Sequence, residues 1–185
     1  MRLFVALDIS ESLRARLEAL RSQLLPLASL RLVDPESMHL TLKFLGEVPD
    51  AKLDKVKTAL ASVAFSPVKL QTTRLGTFSH VLWLGLRINK ELAQLQQRVQ
   101  RVVREFTTHD PRSYRPHLTL ARFERLALDE QRRLERLIRT TRLNEKWKAE
   151  AFTLYNSRLT PQGPAYMPFA RFPLERKNND NIEKK

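Results

Sequence analysis

The sequence contains no cysteine in 185 residues, which excludes a disulfide framework, a thiolate zinc site and a cysteine nucleophile. Glycine is almost as scarce. Its four copies, Gly46, Gly76, Gly85 and Gly163, lie far apart, so there is neither a G-x-x-x-x-G-K-[ST] loop nor a glycine-rich dinucleotide cradle. The K-x-D-G phrase of nucleotidyl-lysine chemistry is missing too, and a nucleoside triphosphate is not the expected fuel. No apolar run approaches the length of a membrane span. The opening Arg2-Leu3-Phe4-Val5-Ala6-Leu7-Asp8 is too short and too soon acidic for a signal peptide. A cytoplasmic address without a membrane partner is the expectation.

Negative charge is in deficit. Asp and Glu number 20 against 33 Lys and Arg, for a formal net charge of +13. Such a balance suits a polyanion, whether RNA, DNA or an anionic membrane surface, and the plain alternative is a basic solvated surface. With 42% hydrophobic residues and a mean hydropathy of -0.40, the chain reads as one soluble globular domain with a proper core.

What the sequence does contain is a phrase said twice: His39-Leu40-Thr41-Leu42 and His117-Leu118-Thr119-Leu120. In a strand, alternate side chains share a face, so each copy sets His and Thr on one side and two leucines on the other. A single H-x-T-x is an ordinary strand. Two copies that agree at all four positions are hard to ascribe to chance. The other histidines, His80 before a strand and His109 in a polar loop, have no such support and read as surface side chains.

Taken in order, residues 2 to 8 read as a strand buried on both faces. Ser10 caps a helix with Leu13, Leu17, Leu20 and Leu24 at helical spacing, ended near Pro26. A strand over 30 to 33 precedes the first motif, and Pro49-Asp50 opens a second helix carrying Leu53, Val56 and Leu60. Strands follow over 65 to 75 and 81 to 86, then an Asn89-capped helix with Leu92, Leu95 and Val99 inward. Pro116 stiffens the approach to the second motif. A short helix from Asp129, with Leu134 inward, precedes strands over 147 to 155 and 165 to 172. Phe44, Trp83 and Phe152 read as core.

The fold class expected is α+β: a bilobal, internally duplicated fold in which two mostly antiparallel sheets line a central groove, helices packed outside. Residues 1–176 form the one domain, with one motif per lobe, and 177–185 a disordered tail.

Two imidazoles suit phosphoryl chemistry because each titrates near neutrality. One can be a neutral base while its twin, beside a phosphate, stays protonated as an acid. Threonine hydroxyls two residues on can donate to non-bridging oxygens. Two histidines without a convergent carboxylate make a poor metal site, so neither metal nor cofactor is expected.

The two motifs, with Met38-His39-Leu40-Thr41-Leu42-Lys43-Phe44-Leu45-Gly46-Glu47-Val48, Arg112-Ser113-Tyr114-Arg115-Pro116-His117-Leu118-Thr119-Leu120-Ala121-Arg122 and Phe152-Thr153-Leu154-Tyr155-Asn156-Ser157-Arg158-Leu159, resemble the 2H phosphoesterase superfamily. Within it they are similar to the bacterial and archaeal RNA 2′,3′-cyclic phosphodiesterases, long called 2′-5′ RNA ligases. The resemblance runs from residue 2 to about 174. It implies a metal-free and ATP-independent enzyme that opens the 2′,3′-cyclic phosphate at an RNA end to a 2′-phosphate; a monomer is expected. His39 would protonate the departing 3′ oxygen, and His117 would activate water. Thr41, Thr119 and Arg122 would hold the phosphate. Ligation would be the same chemistry with a 5′-hydroxyl in place of water. A basic RNA-binding module without turnover is the reading from another class.

Strand parity comments on these roles. Counting by twos from His117 turns Arg122 away from Thr119 unless the strand bulges, whereas Lys43 shares the parity of His39 and Thr41. Arg112 and Tyr114 precede the second motif, where Tyr114 reads equally as a base-stacking ring or as a core aromatic.

Overall fold

The computed structural model describes residues 1–107, 113–160 and 163–175, so the tail expected from residue 177 lies outside the described residues. Among the described residues, nine strands and four helices follow one another as β1 (Arg2–Asp8), α1 (Glu11–Leu24), β2 (Arg31–Leu32), β3 (His39–Glu47), α2 (Leu53–Ala61), β4 (Val68–Phe78), β5 (Val81–Leu86), α3 (Lys90–Val102), β6 (His117–Arg122), α4 (Leu128–Thr140), β7 (Lys146–Ala149), β8 (Ala151–Thr160) and β9 (Gly163–Pro173). The strands form two sheets, ordered β3-β1-β8-β9 and β2-β6-β5-β4-β7. Every neighbouring pair is antiparallel. This is the α+β, two-sheet architecture the sequence implies, with one histidine motif in each sheet.

Local chemistry sets the helix boundaries. The Ser10 hydroxyl accepts the Leu13 N–H at 3.2 Å to start α1, and the Asn89 side chain accepts the Leu92 N–H at 2.8 Å to start α3, each satisfying one of the free donors of a first turn. Glu130 fixes α4 differently. Its carboxylate accepts from the Ala127 N–H and from both the N–H and the hydroxyl of Ser29, tying that helix to the α1–β2 connection.

The helices turn their leucines onto one side of the strands. Leu13, Leu17, Leu60, Leu92, Leu95 and Leu134 join Leu3, Val5, Leu7, Leu40, Leu82, Leu84 and Leu118 in a single buried cluster. Burial of each such side chain is worth about 1.5–3 kcal/mol. The two leucines of each motif are therefore the anchors that hold its His and Thr outward. The strand expected over 147 to 155 is in fact two. Exposed Glu150 breaks it, β7 pairing with β4 in one sheet and β8 with β1 in the other. One residue makes the corner, and periodicity alone does not register a change of sheet.

The sheets meet along β3 and β6. Across that seam Gln96 Nε2 donates to Leu42 O at 3.4 Å and Tyr114 Oη donates to Thr41 O at 3.2 Å. Among the described residues no helix is long and apolar enough to cross a membrane. Leu118 is fully buried between His117 and Thr119. Leu118→Ala is expected to cost about 2–5 kcal/mol, read as a lower urea midpoint at unchanged slope. An unaltered midpoint would show that this anchor carries no load.

Candidate active site

The two motif histidines are held by one repeated device. His39 Nδ1 lies 2.8 Å from the Ser37 carbonyl, and His117 Nδ1 lies 2.7 Å from the Arg115 carbonyl. A carbonyl only accepts, so in both rings Nδ1 carries the hydrogen and Nε2 is left for chemistry. Neutral, such an Nε2 is a base. Protonated, it is a donor. Both rings are partly exposed, and they stand close enough that a charge on His117 disfavours a charge on His39.

Aromatic rings set the environment. His39 stacks on Phe4, with centroids 4.6 Å apart and planes at 29°, and it takes the edge of Tyr166 at 5.0 Å. Tyr155 lies beyond, stacked on Phe4 at 5.2 Å, and its hydroxyl donates to Asp8 Oδ1 at 2.5 Å. Asp8 is the cross-strand partner of His39. In the other sheet Phe78 presents its edge to His117 at 5.1 Å and stacks on Trp83. The sequence reading missed Phe4, Asp8, Phe78, Tyr155 and Tyr166. The one available signal was that β1 is apolar on both faces, so Phe4 had to cover something other than the helices.

Two bulges then decide which neighbours join the histidines. In β6, Thr119 pairs with Trp83 and Ala121 with Leu82, which leaves Leu120 as an extra residue. Leu120 and Ala121 are consequently both buried, and Arg122, opposite Val81, returns to the face of His117 and Thr119. The parity objection to Arg122 is thereby removed. Arg122 is exposed, and its charge acts on the Tyr166 hydroxyl, whose ring edges onto His39. Among the described residues the hydroxyls of Thr41 and Thr119 have no protein partner.

In β3 the corresponding shift works against Lys43. Ala6 pairs with Thr41 but Val5 with Lys43 and Phe4 with Phe44, so Leu42 is the extra residue. Lys43 stands opposite a core valine, and Phe44 takes the place on the face of His39 and Thr41 that simple alternation had assigned to Lys43. Phe44 is 63% exposed, contrary to its expected place in the core. Trp83 also departs from that expectation. Pairing with Thr119 puts it on the face of His117, half-buried, lying so flat that a Cβ at Gly76 would run into the indole. Phe152 is core as expected.

Tyr114 packs partly buried against the core, and its hydroxyl donates to the Thr41 carbonyl. Arg112 and His109 lie outside the described residues. His80 is exposed, its ring against Phe123. A cavity of about 520 Å³ bounded by Pro67, Glu150, Arg171, Leu174 and Glu175 shares no residue with the histidine face.

Burial holds the His39 imidazole below its usual 6.5, and nearby His117 pushes the same way. The Ser37 carbonyl and the Asp8 carboxylate oppose the shift in part. Because the unfolded chain then takes up this proton first, stability rises with pH through the interval between the depressed value and 6.5, and acidification through it is destabilising. His39→Gln should flatten that part of a urea pH–stability curve. By NMR the His39 ring should titrate below an unstructured histidine, and a midpoint above 6.5 would contradict the assigned environment.

Comparison with known proteins adds to this geometry. Residues 9–160 match the model of the 2′-5′ RNA ligase superfamily. An Archaeoglobus fulgidus protein named RNA 2′,3′-cyclic phosphodiesterase is 32% identical over 171 residues, 90% of this chain and 96% of its own length. An Escherichia coli protein of the same name is 30% identical over 178 residues, with 94% and 96% covered. A crystal structure from Thermus thermophilus superposes with a TM-score of 0.80 at 26% identity, covering 96% of this chain and all of that one. Escherichia coli LigT complexed with 3′-AMP gives 0.78 at 26% identity, with 95% and 98% covered. With duplicated motif, two-sheet fold and family match in agreement, the chain belongs to the 2′-5′ RNA ligase superfamily.

Proposed function

We propose that the protein hydrolyses the 2′,3′-cyclic phosphate at an RNA end to a 2′-phosphate, with two histidines and neither metal nor nucleotide. The observation that carries this reading is the pair of matching H-x-T-x strands, each with Nδ1 engaged by a carbonyl two residues back and Nε2 unengaged. Neutral His117 accepts a proton from water through Nε2 as the water oxygen bonds to phosphorus. The bond from phosphorus to the 3′ oxygen breaks, and His39, as imidazolium, delivers the proton from Nε2 to that oxygen. Thr41, Thr119 and Arg122 bind the non-bridging oxygens as charge builds on them. His39 is pushed towards its neutral form in the free protein, so the substrate's own anionic phosphate supplies the field that restores the proton.

Ligation is the same displacement with a 5′-hydroxyl oxygen in place of water as the nucleophile. The superfamily's name favours testing it in the same tube. The assay is a short RNA with a 2′,3′-cyclic phosphate end, with EDTA present and no nucleotide, with and without a 5′-hydroxyl acceptor. Conversion to a 2′-phosphate is expected, reduced roughly 10²–10⁴-fold in each of His39→Ala and His117→Ala. A requirement for divalent metal would overturn the mechanism, and a 3′-phosphate product would reverse the leaving oxygen. Persistent RNA binding with no turnover in the wild type would favour a non-catalytic module.

The rate also depends on pH in a way that separates free from bound enzyme. Activity falls as pH rises through the His39 pKa, and a bound anion raises that pKa. The alkaline limb of kcat is therefore expected at higher pH than that of kcat/KM. Coincident limbs would remove the substrate-assisted protonation of His39.

A further inference from the structure

One hydroxyl beside His39 takes no part in the mechanism. Tyr166 sets its half-buried ring against His39 at 5.0 Å and against Phe4 at 5.1 Å, and its Oη has no hydrogen-bond partner among the described residues. Burial raises the pKa of that hydroxyl, so it stands as an O–H donor with nothing to donate to. Two guanidinium charges act on it, Arg122 from the facing sheet and Arg2 from its own. Arg122 is already committed to the reacting phosphate, and Arg2 is not. The extra residues of the β1–β3 pair, Leu42 and Leu45, both lie in β3, so β1 alternates regularly and Arg2 shares the face of Phe4. Ser157 follows Asn156, the partner of Leu3, and pairs with Tyr166, which sets Arg2, Ser157 and Tyr166 in one row across three strands. At that row lies a cavity of about 340 Å³ bounded by Met1, Arg2, Glu47, Asn156, Ser157 and Arg158. Neither of its arginines has a carboxylate partner among the described residues, whereas Glu47 is held by the Met1 amine at 3.8 Å.

We propose that Arg2 and the Tyr166 hydroxyl bind the phosphodiester on the 5′ side of the RNA's terminal nucleotide, one phosphate upstream of the cyclic phosphate. The substrate in this statement rests on the cyclic-phosphodiesterase reading above. Phe4 stacks on His39, and two residues of strand, about 7 Å, carry the chain from Phe4 to Arg2, a span comparable with the step between successive phosphates of RNA. Guanidinium and phenol together give such a phosphate donors for two of its oxygens, the first of them charge-assisted. Arg158, exposed and lining the same cavity, adds positive charge along the path. The consequence is a choice of substrate. A cyclic phosphate at an RNA end always has an anionic neighbour upstream, whereas a free nucleoside 2′,3′-cyclic phosphate ends in a neutral 5′-hydroxyl. Both present the same group to the histidines. The second phosphate is thus what tells a polymer end from a mononucleotide, and it does so without reading any base.

The test compares adenosine 2′,3′-cyclic phosphate carrying a 5′-methylphosphate diester with the same compound ending in a 5′-hydroxyl. In the wild type the ratio of kcat/KM for the first over the second is expected to exceed one, and Arg2→Ala should reduce it roughly 3- to 30-fold, the span of one charge-assisted hydrogen bond at a partly exposed site. The loss should appear in KM. Arg2→Lys should retain part of the ratio and Tyr166→Phe, which keeps the ring against His39, should lower it. Added salt should reduce the wild-type ratio and affect that of Arg2→Ala less. A wild-type ratio of one, or equal ratios in wild type and Arg2→Ala, would overturn the subsite. So would a neutral 5′-dimethylphosphate triester that served as well as the diester, since size and not charge would then be read. If the wild type turned over none of these compounds, the hydrolase reading would fail by itself. Equilibrium binding of adenosine 2′,5′-bisphosphate against adenosine 2′-phosphate would then decide, with weaker discrimination in Arg2→Ala supporting the subsite and equal discrimination refuting it.

Discussion

The site depends on a short hydrogen bond made twice, from Nδ1 of a histidine to the carbonyl two residues earlier in its own strand approach. That bond fixes three things together: the tautomer, the ring orientation and the direction of Nε2. It is local, so each strand arrives with its histidine already set, and the fold has only to bring the strands together. The residue in the middle is Met38 in one copy and Pro116 in the other. Proline stiffens the second approach by fixing φ, while Met38 stiffens the first by being buried.

Bringing the strands together falls to the leucines. Leu40, Leu42, Leu118 and Leu120 are all buried and draw both motifs onto one core. Tyr114 and Gln96 add polar ties across the seam. The faces left over become the two walls, and both are lined with rings, Phe4 and Tyr166 around His39 and Phe78 and Trp83 around His117. Such walls lower the local dielectric, which favours neutral His39 at rest and strengthens every interaction with a bound phosphate. The net charge of +13 acts at longer range, as attraction for an anionic polymer.

Much of this was legible in the sequence. The α+β class, the helices from Ser10 and Asn89, and the outward His and Thr of each motif follow from spacing and capping alone. Most of what was illegible on the histidine face traces to one cause. A bulge adds a residue without any sequence mark, and it inverts every side chain after it. The extra Leu120 rescued Arg122 from the parity argument, while the extra Leu42 removed Lys43 and brought out Phe44. Tyr114 was ambiguous for a different reason, since a tyrosine beside a motif packs or stacks according to what lies across the seam, and only the tertiary fold supplies Thr41 O as its partner. The corner at Glu150 was hidden because β7 and β8 are both good strands, and periodicity does not say which sheet a strand joins.

The central claim is that the two imidazoles act on opposite sides of one phosphorus. A crystal structure with a uridine–vanadate complex tests it most directly, because trigonal-bipyramidal vanadium stands in for pentacoordinate phosphorus with its entering and leaving oxygens at the two apices. The account predicts His39 Nε2 within hydrogen-bond distance of the apical 3′ oxygen and His117 Nε2 within the same distance of the opposite apex. Both rings on one side of the vanadium, or either one turned away from it, would contradict it.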